Sequence, residues 1–127
     1  MIKIKHFLDP VEVDDGARIW VEPWGLTADF RQWCQVNHLM CHLAPPRELC
    51  DWFENHPDGY EYFRAQYHEW LAKSSFKPAL QQLAWTATRE TLTLLHQGDD
   101  VELNSAMALY EFLAELEAYC PPDSPDL

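Results

Sequence analysis

Residues 44–71 read APPRELCDWFENHPDGYEYFRAQYHEWL, and this stretch decides most of the fold prediction. Its double proline predicts the start of a helix, because proline is tolerated in a first helical turn, where no intrahelical donor is needed. His56-Pro57 ends that helix, and Asp58 with Glu61 three residues later has the pattern of an N-terminal capping box for a second helix. The apolar residues of the two helices are Leu49, Cys50, Trp52 and Phe53, then Tyr60, Phe63, Tyr67, Trp70 and Leu71.

Two more helices are predicted after this stretch. Ser74 or Ser75, together with Pro78, begins the first of them, and residues 101–119 form the second. Apolar residues recur at helical spacing in both segments, which indicates one buried face on each. The predicted buried residues are Leu80, Leu83, Ala84 and Ala87, then Leu103, Met107, Tyr110, Leu113 and Leu116.

Three short segments have the composition of strands. Ile2, Ile4 and Phe7 fit an opening strand, residues 17–21 fit a more buried second one, and residues 91–96 fit a third. Asp14-Asp15-Gly16 is the turn before the second strand, and residues 30–39 are interpreted as one or two short turns or helices. The pattern alone leaves the relative direction of the first two strands open.

Length and composition favour a soluble, folded protein. The chain of 127 residues is 47% hydrophobic, which excludes disorder, and it has no apolar run of the roughly 20 residues that a membrane span needs. We expect one domain over residues 1–119 and a tail containing Pro and Asp over residues 120–127. The N-terminus lacks the apolar core of a secretory signal, so we expect a cytoplasmic protein with reduced thiols at Cys34, Cys41, Cys50 and Cys120.

The formal charge of −12 disfavours nucleic acid and anionic membranes as partners, because both kinds of binding use clustered Lys and Arg. Eight of the acidic residues lie between residues 97 and 127, a segment without Lys or Arg. We interpret this segment as a solvated helix face followed by a polar tail, in preference to a surface for a basic partner.

In order and spacing, the motifs resemble the YeaO-like family of small bacterial proteins, whose biochemical function is not established. The resemblance covers nearly the whole chain and implies a small three-layer, Rossmann-like α/β domain with a short, mainly parallel sheet flanked by helices. The matching positions are Asp9, residues 18–21, Ala44-Pro45-Pro46, Leu49, Trp52-Phe53, His56-Pro57, Phe63-Arg64, Tyr67, Leu94-Leu95, Asn104 and Ala106.

The chain departs from the family pattern where the family carries basic residues. The family's Asp-Arg-Leu-Trp-Pro-Arg-Gly segment is shortened here to residues 22–25, Glu-Pro-Trp-Gly, so that both arginines are absent. Asp99 or Asp100 stands in place of a base, and Ser105 in place of a histidine. If the family binds an anion through these bases, we do not expect this protein to bind it in the same way.

Polar residues follow the predicted strands, at the edge where ligands bind in open parallel sheets. The catalytic candidates are Asp9, Glu22, His96 and Asp99, which could hold a divalent cation or supply an acid and a base. The ligand-binding candidates are Trp24, Asp100 and Asn104. In the alternative interpretation, Asp99 or Asp100 caps the last helix and Glu22 is an ordinary loop carboxylate.

One further group of residues has metal-binding chemistry. Cys34, His38, Cys41 and His42 fall at offsets of four, seven and eight, so a continuous helix would bring these soft ligands to one face and could seat zinc. The spacing matches no common zinc motif, and free cysteines are often buried as small hydrophobic residues. We therefore expect neither a metal nor another cofactor.

Three functions remain open at this point. The first is a binding or interaction module without catalysis, whose ligand is an unknown small molecule or a protein. The alternative is a small metal-assisted or hydrolase-like enzyme that uses the acidic residues at the strand ends. A third reading is association through an aromatic surface, as in a homodimer.

Overall fold

The structure, a computed structural model, describes residues 1–116 and contains a four-stranded sheet. The strands are β1 (Ile2–His6), β2 (Ala17–Trp20), β3 (His38–Leu39) and β4 (Leu92–His96). Their order in the sheet is β1, β4, β2, β3, and every neighbouring pair is parallel. β4, which comes from the C-terminal half of the chain, therefore lies between β1 and β2.

Helices cover both faces of the sheet, as the three-layer Rossmann-like prediction requires. They are α1 (Ala28–Trp33), α2 (Arg47–Asn55), α3 (Tyr60–Leu71), α4 (Lys77–Arg89) and α5 (Ser105–Glu115). Three short 3-10 segments, Val13–Asp15, Cys41–Leu43 and Ser74–Phe76, lie between them. No helix within residues 1–116 has the length and apolar character to cross a membrane.

The alternation of side chains along β4 divides the core in two. Leu92 and Leu94 face α3, α4 and α5 and belong to the larger hydrophobic cluster, whereas Leu95 packs with Phe7 and Trp20 on the opposite face. All five residues of β4 are buried, because the strand is paired on both edges and covered on both faces.

The second face of the sheet also carries charge, centred on Asp15. This buried carboxylate accepts hydrogen bonds from Lys3 at 2.7 Å, Lys5 at 3.1 Å and Arg18 at 2.7 Å. The Thr93 hydroxyl donates to the Asp15 carbonyl at 2.6 Å. Asp15 therefore connects β1, β2 and β4 from the segment between the first two strands.

Burial by itself would raise the pKa of the Asp15 carboxyl. The hydrogen bonds from Lys3, from the Glu12 backbone, from Lys5 and from Arg18 outweigh that effect and hold its pKa well below the ordinary range. Asp15 is therefore ionised in the folded protein at neutral pH.

The segment 30–39 contains part of a short helix, as predicted, and also a strand that was not predicted. A helix is present but ends at Trp33, because Cys34 caps it and Gln35 then takes a positive φ of 50°. The chain continues into β3, which pairs with β2 through His38 and Leu39. Two residues are too few to show the alternation typical of a strand, so the sequence pattern did not indicate β3.

The capping box predicted at Asp58 is wrong. The N-cap of α3 is Gly59, without a side-chain hydrogen bond. The Trp52 ring packs against this glycine so closely that an added Cβ would lie 2.4 Å from it. The prediction of the helix itself is confirmed, with Tyr60, Phe63, Tyr67 and Leu71 buried.

The last helix begins at Ser105, four residues later than predicted, because Asn104 is its N-cap and accepts a hydrogen bond from Met107 N at 2.8 Å. The interpretation of Asp99 or Asp100 as the cap is therefore wrong. The predicted buried stripe is also shifted: Leu103 and Tyr110 are exposed, whereas Leu113 is buried together with Ala106, Ala108 and Leu109. Residues 117–119 of the predicted helix, Cys120 and the predicted tail 120–127 lie outside the described residues.

Candidate functional site

A cavity of about 480 Å³ lies at the carboxyl ends of β2 and β4. This is the edge at which open parallel sheets bind ligands, and its size is within the usual range of small-molecule sites. The lining residues after the strands are Glu22, Trp24, Gln97, Gly98, Asp99 and Asp100. The other lining residues lie in α2 or α3, between these two helices, or around the start of α5: Cys50, Phe53, Glu54, Pro57, Phe63, Leu103, Asn104 and Ser105.

The structure brings together five of the seven residues predicted for the site. Glu22, Trp24, Asp99, Asp100 and Asn104 all line the cavity. Each of them follows a strand or precedes α5, so the parallel arrangement of β2 and β4 is enough to collect them at one edge.

The other two predicted residues, Asp9 and His96, do not line the cavity. The Asp9 carboxylate accepts a hydrogen bond from the His6 backbone N–H at 3.0 Å and stabilises the turn after β1. His96 is only 2% exposed. Burial, together with nearby His6, lowers the pKa of His96, so its imidazole is neutral at physiological pH.

Glu22 is the buried acid of the cavity. Only 5% of the residue is exposed, and its Oε2 accepts a hydrogen bond from the Gln97 backbone N–H at 3.1 Å. Its Oε1 makes no hydrogen bond of ordinary geometry within residues 1–116, and the Ser105 hydroxyl lies near the carboxyl group. Burial raises the pKa of Glu22 above its ordinary value, although the Ser105 hydroxyl, the Gln97 N–H and His6 act in the opposite direction.

The raised pKa of Glu22 predicts a pH-dependent effect of Glu22→Gln. A carboxyl whose pKa is higher in the folded than in the unfolded state lowers the free energy of unfolding as pH rises. The loss begins near the unfolded pKa, about 4.5, and is complete above the folded pKa. Glutamine cannot ionise, so the free energy of unfolding of Glu22→Gln, relative to that of the original protein, is expected to rise over this interval. Urea denaturation at pH 4 and pH 7 measures the difference.

Glu90→Gln is the matched control, because Glu90 is an exposed residue at the end of α4. Its effect on the free energy of unfolding should be small and should not follow the same pH interval. A Glu22→Gln protein whose stability relative to the original falls between pH 4 and pH 7 would contradict the assignment of Glu22 as a desolvated acid.

Trp24 is held at the cavity by hydrogen bonds of both its side chain and its backbone carbonyl. Its indole Nε1 donates to the side-chain oxygen of Gln97, and its carbonyl accepts from Trp20 Nε1 at 2.6 Å. The Cys41 thiol also lies 3.7 Å from this carbonyl. The indole of Trp24 is therefore a fixed wall of the cavity.

Asp100 contributes a carboxylate that is ionised. Its Oδ1 accepts hydrogen bonds from the backbone N–H groups of Glu102 at 2.9 Å and Leu103 at 3.0 Å, and these bonds lower its pKa. The same turn places Asn104 at the start of α5, where the Asn104 amide donates to the Asp100 carbonyl at 3.0 Å.

Cys50 lines the cavity, so its thiol is the one to consider as a catalytic nucleophile. Burial, with smaller contributions from Glu22 and Asp51, raises the pKa of Cys50 to about 12. Its thiol therefore stays protonated at neutral pH and is not an activated nucleophile.

The helix that the zinc alternative requires is not formed. Cys34 caps α1, His38 lies in β3, and Cys41 and His42 belong to a 3-10 segment. Within residues 1–116, no group of three or more His, Cys, Asp and Glu side chains is arranged to hold a metal ion. Cys34, Cys41 and Cys50 are free cysteines, and the reduced state of the thiols stays a prediction.

The sequence patterns did not indicate the wall that α2 contributes. Cys50 and Glu54 are four residues apart and so share one helix face, which was a usable signal. Placing that face over the sheet edge, however, requires the packing of α2 on α3. Gln97 and Ser105 are polar residues next to predicted site positions, and only their contacts with Glu22 show their importance.

Comparisons with known proteins agree with the family resemblance described above. A family model described as the inactive DUF488-N3 subclade matches residues 1–125. The chain is 29% identical over 115 residues to the uncharacterised protein YeaO of Escherichia coli, covering 91% of this chain and 98% of that protein.

Uncharacterised proteins of Mycobacterium tuberculosis and Mycobacterium bovis are 25% identical over 118 residues, which covers 88% of this chain and 92% of each relative. No solved structure gives a significant match. Because the family model spans almost the entire chain, this protein belongs to the inactive DUF488-N3 subclade and is a divergent relative of YeaO.

Proposed function

We propose that this protein is a cytoplasmic binding module without catalytic activity, and that its cavity at the carboxyl ends of β2 and β4 takes a small organic molecule. The observation that carries the proposal is the composition of the cavity. The aromatic side chains of Trp24, Phe53 and Phe63 line the cavity together with a buried acid, Glu22, whose Oε1 makes no hydrogen bond of ordinary geometry among the described residues. Such a combination provides both affinity and orientation for a ligand.

Binding fits the arrangement better than chemistry does. Of the four catalytic candidates, only Glu22 and Asp99 line the cavity, and the Cys50 thiol beside them is kept protonated. The imidazole of His96, which could exchange a proton with a substrate near neutral pH, does not line the cavity. The description of the family as inactive agrees with a role in binding.

A fragment screen by NMR on ¹⁵N-labelled protein tests the proposal. Ligands of the cavity should shift the indole N–H of Trp24 and the backbone amides of Gln97 and Gly98, because these groups lie on its wall. A broad screen in which no compound shifts these resonances would contradict the proposal.

Gly98→Leu is a variant designed to obstruct the cavity. A Cβ at Gly98 would meet only Asn104 Cβ at 3.8 Å and His96 Nδ1 at 3.9 Å, so the fold should accept it while the longer side chain occupies space beside Asn104. Fragment binding should be lost. Gly25→Leu is the matched control, because an added Cβ there meets nothing within 4 Å and Gly25 is not a lining residue.

One observation favours the alternative of a metal-assisted or hydrolase-like enzyme. The raised pKa of Glu22 is a common property of catalytic acids. Metal analysis of the purified protein separates the two functions: a stoichiometric divalent cation that disappears in Glu22→Ala would favour the enzyme, whereas a metal-free protein that binds fragments would favour the module. The homodimer stays a prediction that sedimentation analysis can test.

A further inference from the structure

We propose that the ligand of this cavity is a small organic cation, with an ammonium or amidinium head group that pairs with Glu22. This inference rests on the proposed binding function and specifies the chemistry of the ligand. Three features of the cavity carry it: the charge of its lining, the unpartnered oxygen of Glu22, and its aromatic walls.

The lining carries acids and no bases. Glu22, Glu54, Asp99 and Asp100 are among the lining residues, and none of the lining residues is Lys or Arg. The Asp100 carboxylate is fixed in its ionised form by two backbone N–H groups. Like-charge repulsion therefore opposes an anionic ligand, and a cation is attracted before it makes any direct contact.

Glu22 provides a specific hydrogen-bonding partner for the head group of a cationic ligand. The residue is 95% buried, and Oε2 is already bonded to Gln97 N–H, whereas Oε1 makes no hydrogen bond of ordinary geometry among the described residues and has only the Ser105 hydroxyl as a donor near the carboxyl group. An unpaired buried carboxylate oxygen is unfavourable, and a charged N–H donor from a ligand would satisfy it with a strong hydrogen bond. Because Oε1 is screened from solvent, the head group has to displace a neighbouring side chain, and the Ser105 hydroxyl lies beside the carboxyl group.

The aromatic walls suit the rest of such a ligand. Phe53 lines the cavity and is supported from behind by the fully buried Phe63, with the two ring centroids 4.5 Å apart, and Trp24 is held in place through its bond to Gln97. Flat aromatic faces attract cations through their quadrupole and pack against apolar or planar groups. The ligand class is therefore a cationic head on a small apolar or aromatic body.

Three probes of nearly the same shape and different charge test this inference: benzamidine, benzamide and benzoate. Isothermal titration calorimetry at pH 7 should show benzamidine binding roughly tenfold or more tightly than neutral benzamide, because a close ion pair with a buried carboxylate is worth about that much. Benzoate should not bind.

Glu22→Gln keeps the shape of the side chain and removes its charge. The variant should lose the preference for benzamidine over benzamide. Glu90→Gln, an exposed residue outside the cavity, should bind all three probes as the original protein does.

The outcomes distinguish the two proposals. If benzamide binds at the cavity as tightly as benzamidine, or if Glu22→Gln keeps the preference for benzamidine, the cation inference is overturned and the binding function stands. If benzoate binds more tightly than benzamidine, the inference is overturned as well. If the fragment screen and all three probes leave the Trp24, Gln97 and Gly98 resonances unshifted, the binding function itself is wrong.

Discussion

Asp15→Asn is expected to lower the free energy of unfolding by about 3 kcal/mol, because it leaves a buried arginine without its counter-charge. Arg18 is 2% exposed and pairs with Asp15 at 2.7 Å. Its Nε donates to the Cys34 carbonyl at 3.0 Å, and its Nη2 has no partner within residues 1–116. No other carboxylate contacts the Arg18 guanidinium among the described residues, so the buried charge would be uncompensated.

Urea denaturation at pH 7 measures this loss, and Asp14→Asn is the matched control. Asp14 is the preceding residue and also pairs with Lys3, at 3.3 Å, but its side chain is 79% exposed. Exposed ion pairs contribute little, so Asp14→Asn should cost less than about 0.5 kcal/mol. Similar losses of unfolding free energy for the two variants would contradict the prediction that Asp15 stabilises the protein because its ion pair is buried.

Gly16→Ala is expected to destabilise the protein by about 4 kcal/mol, or to prevent folding, because the backbone at this position admits only glycine. Gly16 has φ 64° and ψ −144°, a region essentially restricted to glycine. A Cβ there would lie 1.9 Å from the carbonyl oxygen of Thr91, which is backbone next to the central strand β4. Neither group can move without separating β2 from β4.

Gly25→Ala provides the comparison for this prediction. An added Cβ at Gly25 meets nothing within 4 Å, and its φ is not positive. Alanine also restricts the unfolded chain, so Gly25→Ala should be neutral or stabilising by up to about 1 kcal/mol. Thermal and urea denaturation of the two variants measure the contrast. A folded Gly16→Ala protein of near-original stability would contradict the close approach of Gly16 to Thr91.

The parts of the fold that could be predicted from sequence are those with a local, repeated pattern. Residues 44–71 show α2 and α3 through their prolines and aromatic spacing, and the β-branched and leucine-rich runs show three strands. Features set by tertiary contacts could not be predicted. The cap of α3 depends on Trp52 packing against Gly59, and the two-residue β3 exists only because β2 offers it a free edge.

The residues of the candidate site divide in the same way, into those that the pattern predicts and those whose position depends on tertiary contacts. Topology alone predicts that residues after parallel strands meet, and Glu22, Trp24, Asp99, Asp100 and Asn104 do so. The exceptions have local causes. Asp9 is held in a turn by the His6 N–H, and His96 is buried as the last residue of a strand that is covered on both faces. The contribution of α2 depends on how it packs on α3, which is not encoded in its own pattern.

The central position of β4 has a consequence for how the chain folds. β1 and β2 are close in sequence, but neither pairs with the other, and each requires a segment about 75 to 90 residues further along. During synthesis, their inner edges stay open until residue 96 has left the ribosome. Contacts between such distant segments close large loops, which slows folding. We therefore expect the sheet to assemble only after most of the chain has been made.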